Sequence, residues 1–440
     1  MPDPLMLLPR WTVPVEPAGV VLDDHAVIIR DERIERVLPA AQARREYAAM
    51  ARLELPQHVL IPGLVNAHTH AAMSLMRGLA DDLPLMPWLK DHIWPAEAKH
   101  VSPRFVRDGT LLACAEMIRG GVTCFNDMYF FPEAALEAVQ SVGMRAALGI
   151  IVIEFPSAYA SDPDDYLKKG LALRDRYGQE PLLSFCLAPH APYTVSDATF
   201  RKLSRLAGEL DIPVHIHLHE TEQELDKSLA EHGVRPFERM RRHGLLGPQL
   251  ISVHSAHLDS DEIALLGTHR CSVVHCPSSN LKLASGLAPV AALAAAGANI
   301  ALGTDGAASN NRLDLLQEAR QAALLAKAVS RDASAFPATH ALRAATLGGA
   351  QALGLADRIG SILQGKDADL VAVRMSGPEL QPLYDPVSQL IYAASREHVD
   401  FVWVRGKMLL KGREFTGSPF SGLDAKVELW QNVLGGIASN

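Results

Sequence analysis

Short, continuously apolar runs alternate with longer stretches of helical periodicity through the middle of the chain. The apolar runs are Val59–Thr69, Val122–Met128, Arg145–Ile153, Leu182–Pro189, Pro213–His219, Leu250–His254, Cys271–Cys276 and Asn299–Gly303. Apolar positions recur at helical spacing in Pro103–Arg119, Pro132–Val142, Asp164–Tyr177, Asp197–Leu210, Asp259–Leu266, Leu287–Ala296 and Leu313–Ala328. Strands that read as unbroken apolar runs are strands covered on both faces, as in a parallel sheet flanked by helices. Eight of them alternating with helices predict a (β/α)8 barrel.

The two ends read differently. Val20–Asp24, His25–Arg30 and Ile34–Leu38, with a turn at Asp31–Arg33, are short strands. So are Asp369–Val373 and Val399–Val404, with a turn at Arg405–Lys407. Each set is too small to bury a core alone, so the two are expected to pair into one small β-sandwich. The predicted organisation is residues 1–58 as the first part of that sandwich, 59–364 as the barrel, and 365–440 as its second part and a tail, with a helix over Leu423–Val433. The connection Ala71–Ser102 is long and carries Met73, Met76, Met86, Trp88 and Trp94. It is expected to cover the barrel mouth as a lid, or to serve only as a helical cover over apolar surface.

Composition narrows the class. The chain has 440 residues, 48% of them apolar and 21% charged, as in an ordinary soluble globular protein. A net charge of -8 argues against a broad phosphate-binding surface and hence against a nucleic-acid partner. The five cysteines, Cys114, Cys124, Cys186, Cys271 and Cys276, form no C-x-x-C pair, which suits reduced thiols in the cytoplasm. No basic start leads into a signal-peptide pattern. Leu283–Thr304 lacks charge, but Ser285, Gly286, Pro289, Gly297 and Asn299 interrupt it, so a short helix and a buried strand are expected there and no membrane span.

Candidate chemistry gathers where the apolar runs end. The first ends in His68-Thr69-His70, whose imidazoles share one face of an extended strand. The fourth ends at His190. The fifth carries His215, His217 and His219 on one face, with Glu220 pointing away unless the strand stops there. The sixth ends at His254, with His257 just beyond, and the eighth at Asp305. The C-terminal ends of barrel strands are where such folds place active sites. Imidazoles with a carboxylate suit a borderline ion such as Zn²⁺, and three His with one Asp leave a position for a water whose pKa the ion lowers. A nearby carboxylic acid can move protons. These parts imply metal-assisted hydrolysis.

Several stretches also resemble a known family. Pro62–His70, Leu75-Met-Arg-Gly-Leu79, Trp94-Pro-Ala-Glu97, Asn126-Asp-Met-Tyr129, Pro189–Tyr193, His217-Leu-His-Glu220, Pro277–Leu283 and Gly303–Asn311 resemble motifs of the amidohydrolase superfamily. Within it the chain most resembles the 5'-methylthioadenosine/S-adenosylhomocysteine deaminases, over nearly its whole length. The resemblance implies one Zn²⁺ or other divalent transition metal per chain, held by His68, His70, His217 and Asp305. It implies Glu220 as the acid that protonates the purine N1, and His254 with Asp305 as the pair that orients and deprotonates the water. Glu97 corresponds to the acceptor of the ribose hydroxyls and His190 to a substrate-contacting histidine, so Glu97, His190, Glu220 and Asp305 make up the substrate-binding set. His215, His219, His257 and His275 match no ligand position and are read as supporting or packing residues, and Asp127 as a hydrogen-bonding residue within the barrel. The fourth strand ends Leu187-Ala-Pro-His190, without the lysine of binuclear relatives, which implies a single ion.

The implied partner is a small-molecule purine nucleoside, with a homo-oligomer left open. The implied reaction converts 5'-methylthioadenosine, and with it S-adenosylhomocysteine or adenosine, to the inosine analogue and ammonia. The alternative is a sister enzyme for another amino- or chloro-substituted heterocycle such as guanine or a triazine, against which Glu97 argues because a bare base has no ribose. A non-catalytic barrel is disfavoured because every expected ligand is present. Family members that accept S-adenosylhomocysteine can bind its carboxylate with arginines between the third and fourth strands. Here that region, Ile153–Lys169, is acidic and apolar where arginine is wanted, and Lys168 or Lys169 in its place would offer a point charge, not a bidentate fork, so methylthioadenosine is the expected preference.

Overall fold

The computed structural model describes residues 3–435. Eight parallel strands form one sheet in sequential order: β1 (Leu64–Thr69), β2 (Val122–Asp127), β3 (Arg145–Val152), β4 (Leu183–Pro189), β5 (Val214–Leu218), β6 (Leu250–His254), β7 (Ser272–His275) and β8 (Asn299–Leu302). Almost every residue in them is buried, which is why they read as apolar runs. The seam between β8 and β1 is closed largely by side chains. The Asp305 N–H donates to the His68 carbonyl at 3.0 Å, the Thr304 N–H to Asn66 Oδ1 at 3.0 Å, and Asn66 Nδ2 to Thr304 Oγ1 at 2.7 Å. These bonds complete the expected (β/α)8 barrel and tie the Asp305 segment directly to the His68 segment.

Helices return the chain between strands, and polar residues set their starts. Ser102, Asp162, Ser196, Thr221, Asp259 and Asp314 each cap a helix by accepting backbone N–H bonds. The helices Pro103–Arg119, Pro132–Val142 and Asp197–Leu210 lie where periodicity predicts them. The connection after β1 is folded into short helical turns, Ala71–Met76, Leu85–Pro87, Trp88–Ile93 and Trp94–His100. Among the described residues no helix is long and apolar enough to cross a membrane.

The termini build a second, nine-stranded mixed sheet. Its N-terminal part ends with Ala51–Pro62, which pairs in parallel with Leu5–Thr12 and antiparallel with Leu370–Arg374 from the far end of the chain. Leu7, Val27, Leu55, Leu60, Leu370 and Trp403 share one buried cluster to which both ends contribute, while Met6, Leu8, Ala26, Ile28, Leu38 and Ala43 form a smaller one from the N-terminal part alone. The apolar run Val59–Thr69 is thus two strands. Val59–Pro62 belongs to the terminal sheet, and β1 starts after Gly63, where a Cβ would lie 2.0 Å from Thr123 Oγ1. The close approach of β2 at that point leaves room for a chain change but not for a side chain.

Arg145 locks the two sheets together beneath the barrel. Its guanidinium is buried and donates to Asp369 Oδ2 and to Asp367 Oδ2, each at 2.9 Å, and to the Pro181 carbonyl at 3.0 Å. Both carboxylates are themselves buried. Removing Arg145 leaves buried Asp369 without a cation, while Asp367 keeps Arg358 at 3.0 Å. Arg145→Ala is therefore expected to cost about 3–5 kcal/mol, read by denaturant unfolding of the metal-loaded protein. A loss below about 1 kcal/mol would mean that the two aspartates find other compensation.

Candidate active site

The C-terminal ends of β1, β5 and β8 bring His68, His70, His217 and Asp305 together, with one ligand atom of each within 4.8 Å of all the others. Hydrogen bonds on the far side of each ring decide which nitrogen faces the centre. His70 Nδ1 donates to the Met128 carbonyl at 2.6 Å, and His217 Nδ1 donates to the His190 carbonyl at 2.7 Å. A carbonyl can only accept, so in the neutral rings both Nε2 atoms present bare lone pairs, 3.3 Å apart. His68 Nε2 is buried without a hydrogen-bond partner among the described residues, while His68 Nδ1 meets His215 Nε2 at 2.9 Å. Asp305 Oδ1 lies 3.3 Å from the Nε2 atoms of both His68 and His70.

Lone pairs pointed at one another and at a carboxylate repel unless a positive charge lies between them. A tetrahedral ion with bonds of about 2.0–2.1 Å separates its ligand atoms by roughly 3.3 Å, the distance found between His70 and His217, His68 and Asp305, and His70 and Asp305. The donor set therefore fits a divalent metal ion. Without one, burial opposes a charged His70, but the hydrogen bond and charge of Asp305 outweigh it and push that ring up to about 9. Burial dominates at His68 and pulls it down to about 4.

Left-handed residues end three of the strands. His219 (φ 56°) follows β5, His254 (φ 69°) closes β6 with Ser255 (φ 49°) beyond it, and Asp305 (φ 61°) follows β8. Residues with a Cβ enter this region at a cost, and such strain gathers at functional sites. It re-aims what comes next. Glu220, which strict alternation would turn away, points into the same cavity as His217. Its Oε2 lies 3.8 Å from His254 Nε2, and Ser285 Oγ approaches its Oε1 at 3.5 Å. Burial raises the Glu220 carboxyl above its usual range, favouring the protonated form. His254 Nδ1 faces Asn280 Oδ1 at 3.1 Å, which places the hydrogen on Nδ1 and leaves Nε2 as an acceptor toward the cavity.

The same turn separates the three histidines of the fifth strand. His217 faces the cavity, and His215 backs His68. His219 leaves the face it was expected to share, because β5 has already ended. Its Nε2 accepts from the Phe237 N–H at 3.0 Å and its Nδ1 donates to the His257 carbonyl at 3.0 Å. His257 donates to the Ser285 carbonyl at 2.5 Å. His275 is buried, and its Nδ1 has no partner among the described residues. Asp127 accepts the Ala71 N–H at 2.7 Å and so fixes the chain just after His70.

Pattern reading did not single out four polar groups that support this arrangement. Ser279 and Ser309 donate to Asp305 Oδ2 at 2.7 and 3.0 Å. Asn280 orients His254, and Glu224 holds the backbone beside Glu220. Ser279, Asn280 and Ser309 lie inside the quoted motifs, but nothing in the string says which hydroxyl or amide turns inward. Glu224 carried a local signal, the helix-start pattern Thr221-x-x-Glu224.

A cavity of about 410 Å³ opens from these groups toward the segment 71–102. His70, His190, His217, Glu220, His254 and Asp305 form its inner end. Trp88, Trp94, Ile153 and Phe155 line the part beyond, Met73 sits beside Gly306, and Glu97 projects from the helix Trp94–His100. No lysine or arginine lines it among the described residues. Tyr129 OH donates to Glu97 Oε1 at 2.8 Å, and burial pushes that carboxyl up to about 7 in spite of the bond. His190 is kept neutral by burial, pulled down to about 3, and its Nδ1 lies 3.1 Å from Thr194 Oγ1.

Known proteins share this architecture. Residues 59–409 match the amidohydrolase family. A 5-methylthioadenosine/S-adenosylhomocysteine deaminase of Teredinibacter turnerae is 48% identical over 425 residues, covering 97% of this chain and 96% of the relative. One of the same name from Saccharophagus degradans is 46% identical, covering 98% of this chain and 96% of the relative. The crystal structure of an adenosine deaminase from Xanthomonas campestris with bound zinc superposes with a TM-score of 0.96 at 50% identity, covering 99% of each chain.

Proposed function

Since the chain belongs to the amidohydrolase family, we propose that it is a zinc-dependent hydrolytic deaminase of 5'-methylthioadenosine, yielding 5'-methylthioinosine and ammonia. The observation that carries this reading is one cavity that holds a histidine–aspartate cluster, the protonated-leaning carboxyl of Glu220, and a second buried carboxyl, Glu97, brought in by the helix Trp94–His100. His68, His70, His217 and Asp305 would hold the ion, whose role is to make a water acidic enough to yield hydroxide near neutral pH.

The chain's own groups do the rest. Glu220 gives its proton to N1 of the adenine, so that the ring can accept electrons as water adds at C6. His254, with Nε2 bare, takes the proton that the adding water loses, and Asp305 keeps that water in line. The C6 amino group leaves as ammonia once it has gained a proton. Glu97 accepts the ribose hydroxyls when ionised, and His190 contacts the substrate beside His217. A bare heterocycle such as guanine or a triazine would leave Glu97 and the apolar outer part unpartnered. The five cysteines are all buried free thiols, which supports a reducing, cytoplasmic setting.

Metal binding gives the first test. Protein stripped of metal and titrated with Zn²⁺ is expected to take up one tightly held ion per chain, and His68→Ala with His217→Ala to abolish it. Two ions at full occupancy, or an ion retained by the double variant, would overturn the ligand set. Glu220→Gln keeps the shape but cannot deliver a proton, so turnover is expected to fall at least about a hundredfold with metal content intact. Near-normal turnover would move the proton to another group.

Substrate preference follows from the lining. The outer cavity offers a methylthio group apolar contacts, whereas the amino-acid end of S-adenosylhomocysteine would bring a carboxylate to a surface without a cation. Comparing kcat/KM for 5'-methylthioadenosine, S-adenosylhomocysteine and adenosine is expected to rank methylthioadenosine first. A clear advantage for S-adenosylhomocysteine would contradict this assignment.

A further inference from the structure

We propose that Glu224 is a positioning residue for this deamination, holding Glu220 where it can deliver its proton. The inference rests on the reading of Glu220 as the acid. β5 stops at Leu218, so the N–H groups of His219 and Glu220 lose the sheet partners that a longer strand would supply. Both are buried, and buried N–H groups need acceptors. Glu224 supplies both, with Oε1 accepting from the His219 N–H at 3.0 Å and Oε2 from the Glu220 N–H at 2.9 Å. On the other side, the His219 carbonyl accepts from the N–H groups of Ala256 at 2.9 Å and His257 at 3.2 Å. The left-handed peptide that turns Glu220 inward is therefore clamped from two sides.

Helix capping alone does not require this carboxylate. The helix Glu222–His232 already has Thr221 as its cap, which accepts from the Glu224 N–H at 3.3 Å. An acidic residue at this third helical position ordinarily reaches back to the cap residue's own N–H. Glu224 passes over it and grips the two residues before it. Glu224 is 5% exposed and its carboxyl makes no ion pair among the described residues, an expensive placement for an acid with a purely architectural task. Burial pushes it up to about 8, with the two N–H bonds pulling the other way. Slackening the clamp would let Glu220 drift, and a displacement of about 1 Å in a proton-transfer geometry can cost on the order of a hundredfold in rate.

The test compares Glu224→Gln, Glu224→Asp, Glu220→Gln and the double variant Glu220→Gln with Glu224→Gln, all metal-loaded, with 5'-methylthioadenosine. Gln turns one acceptor into a donor facing an N–H, and Asp keeps the carboxyl but shortens the arm. Each is expected to lower kcat about ten- to a hundredfold. KM should stay within about threefold and one ion per chain should remain. In the Glu220→Gln background, adding Glu224→Gln is expected to change kcat by less than about twofold, because no proton is left to misplace. Near-normal kcat in both Glu224 variants would overturn the proposal, and so would an equal loss in both backgrounds or a loss of metal in its place. Should Glu224→Gln not fold, Glu224→Asp alone and with Glu220→Gln carries the same comparison. Failure of the acid assignment shows separately, as near-normal turnover in Glu220→Gln.

Discussion

A negative charge in a nearly waterless place must be answered from every side, and Asp305 sets that demand for the whole barrel mouth. Its Oδ1 meets the Gly306 N–H at 2.7 Å and the Nε2 atoms of two imidazoles, and its Oδ2 takes the hydroxyls of Ser279 and Ser309. Those serines sit on the segments after β7 and β8. Glu318, fully buried, holds these segments together by accepting the Ser278 N–H at 3.0 Å and Asn310 Nδ2 at 2.9 Å. The requirement spreads outward from one carboxylate to a helix behind the barrel. In a low-dielectric site each unmade bond in such a network costs more than it would at the surface.

Much of this was legible in the amino-acid string, for identifiable reasons. Pro103–Arg119 and Asp197–Leu210 stand out because a serine cap and a helical apolar face agree. The barrel strands stand out because burial on both faces leaves few polar positions to confuse the pattern. His68 and His70 are legible because alternation holds to the end of β1. Alternation misleads just where the strand stops. It places His219 beside His217 and turns Glu220 outward, and the left-handed φ at His219 reverses both. No residue type in His-Leu-His-Glu announces that reversal, since it is imposed by contacts with Glu224, Ala256 and His257. The run Val59–Thr69 misleads for a related reason. Both halves are buried, and the string does not show that Val59–Pro62 pairs with Leu370–Arg374 while the chain past Gly63, crowded against Thr123, pairs with β2.

The pairing of Ala51–Pro62 with Leu370–Arg374 has a consequence for how the chain is made. Synthesis runs from one end, so the first strands of the terminal sheet leave the ribosome roughly 300 residues, or on the order of 15–60 s, before their partner exists. Until then Ala51–Pro62 offers an unpaired edge, and the cluster around Leu7 and Leu60 lacks half its members. The barrel's histidines are likewise in place well before Asp305 can join them. The last segment made thus closes the first one, and a nascent chain cut short of Leu370 is left with an open edge that invites pairing with its neighbours.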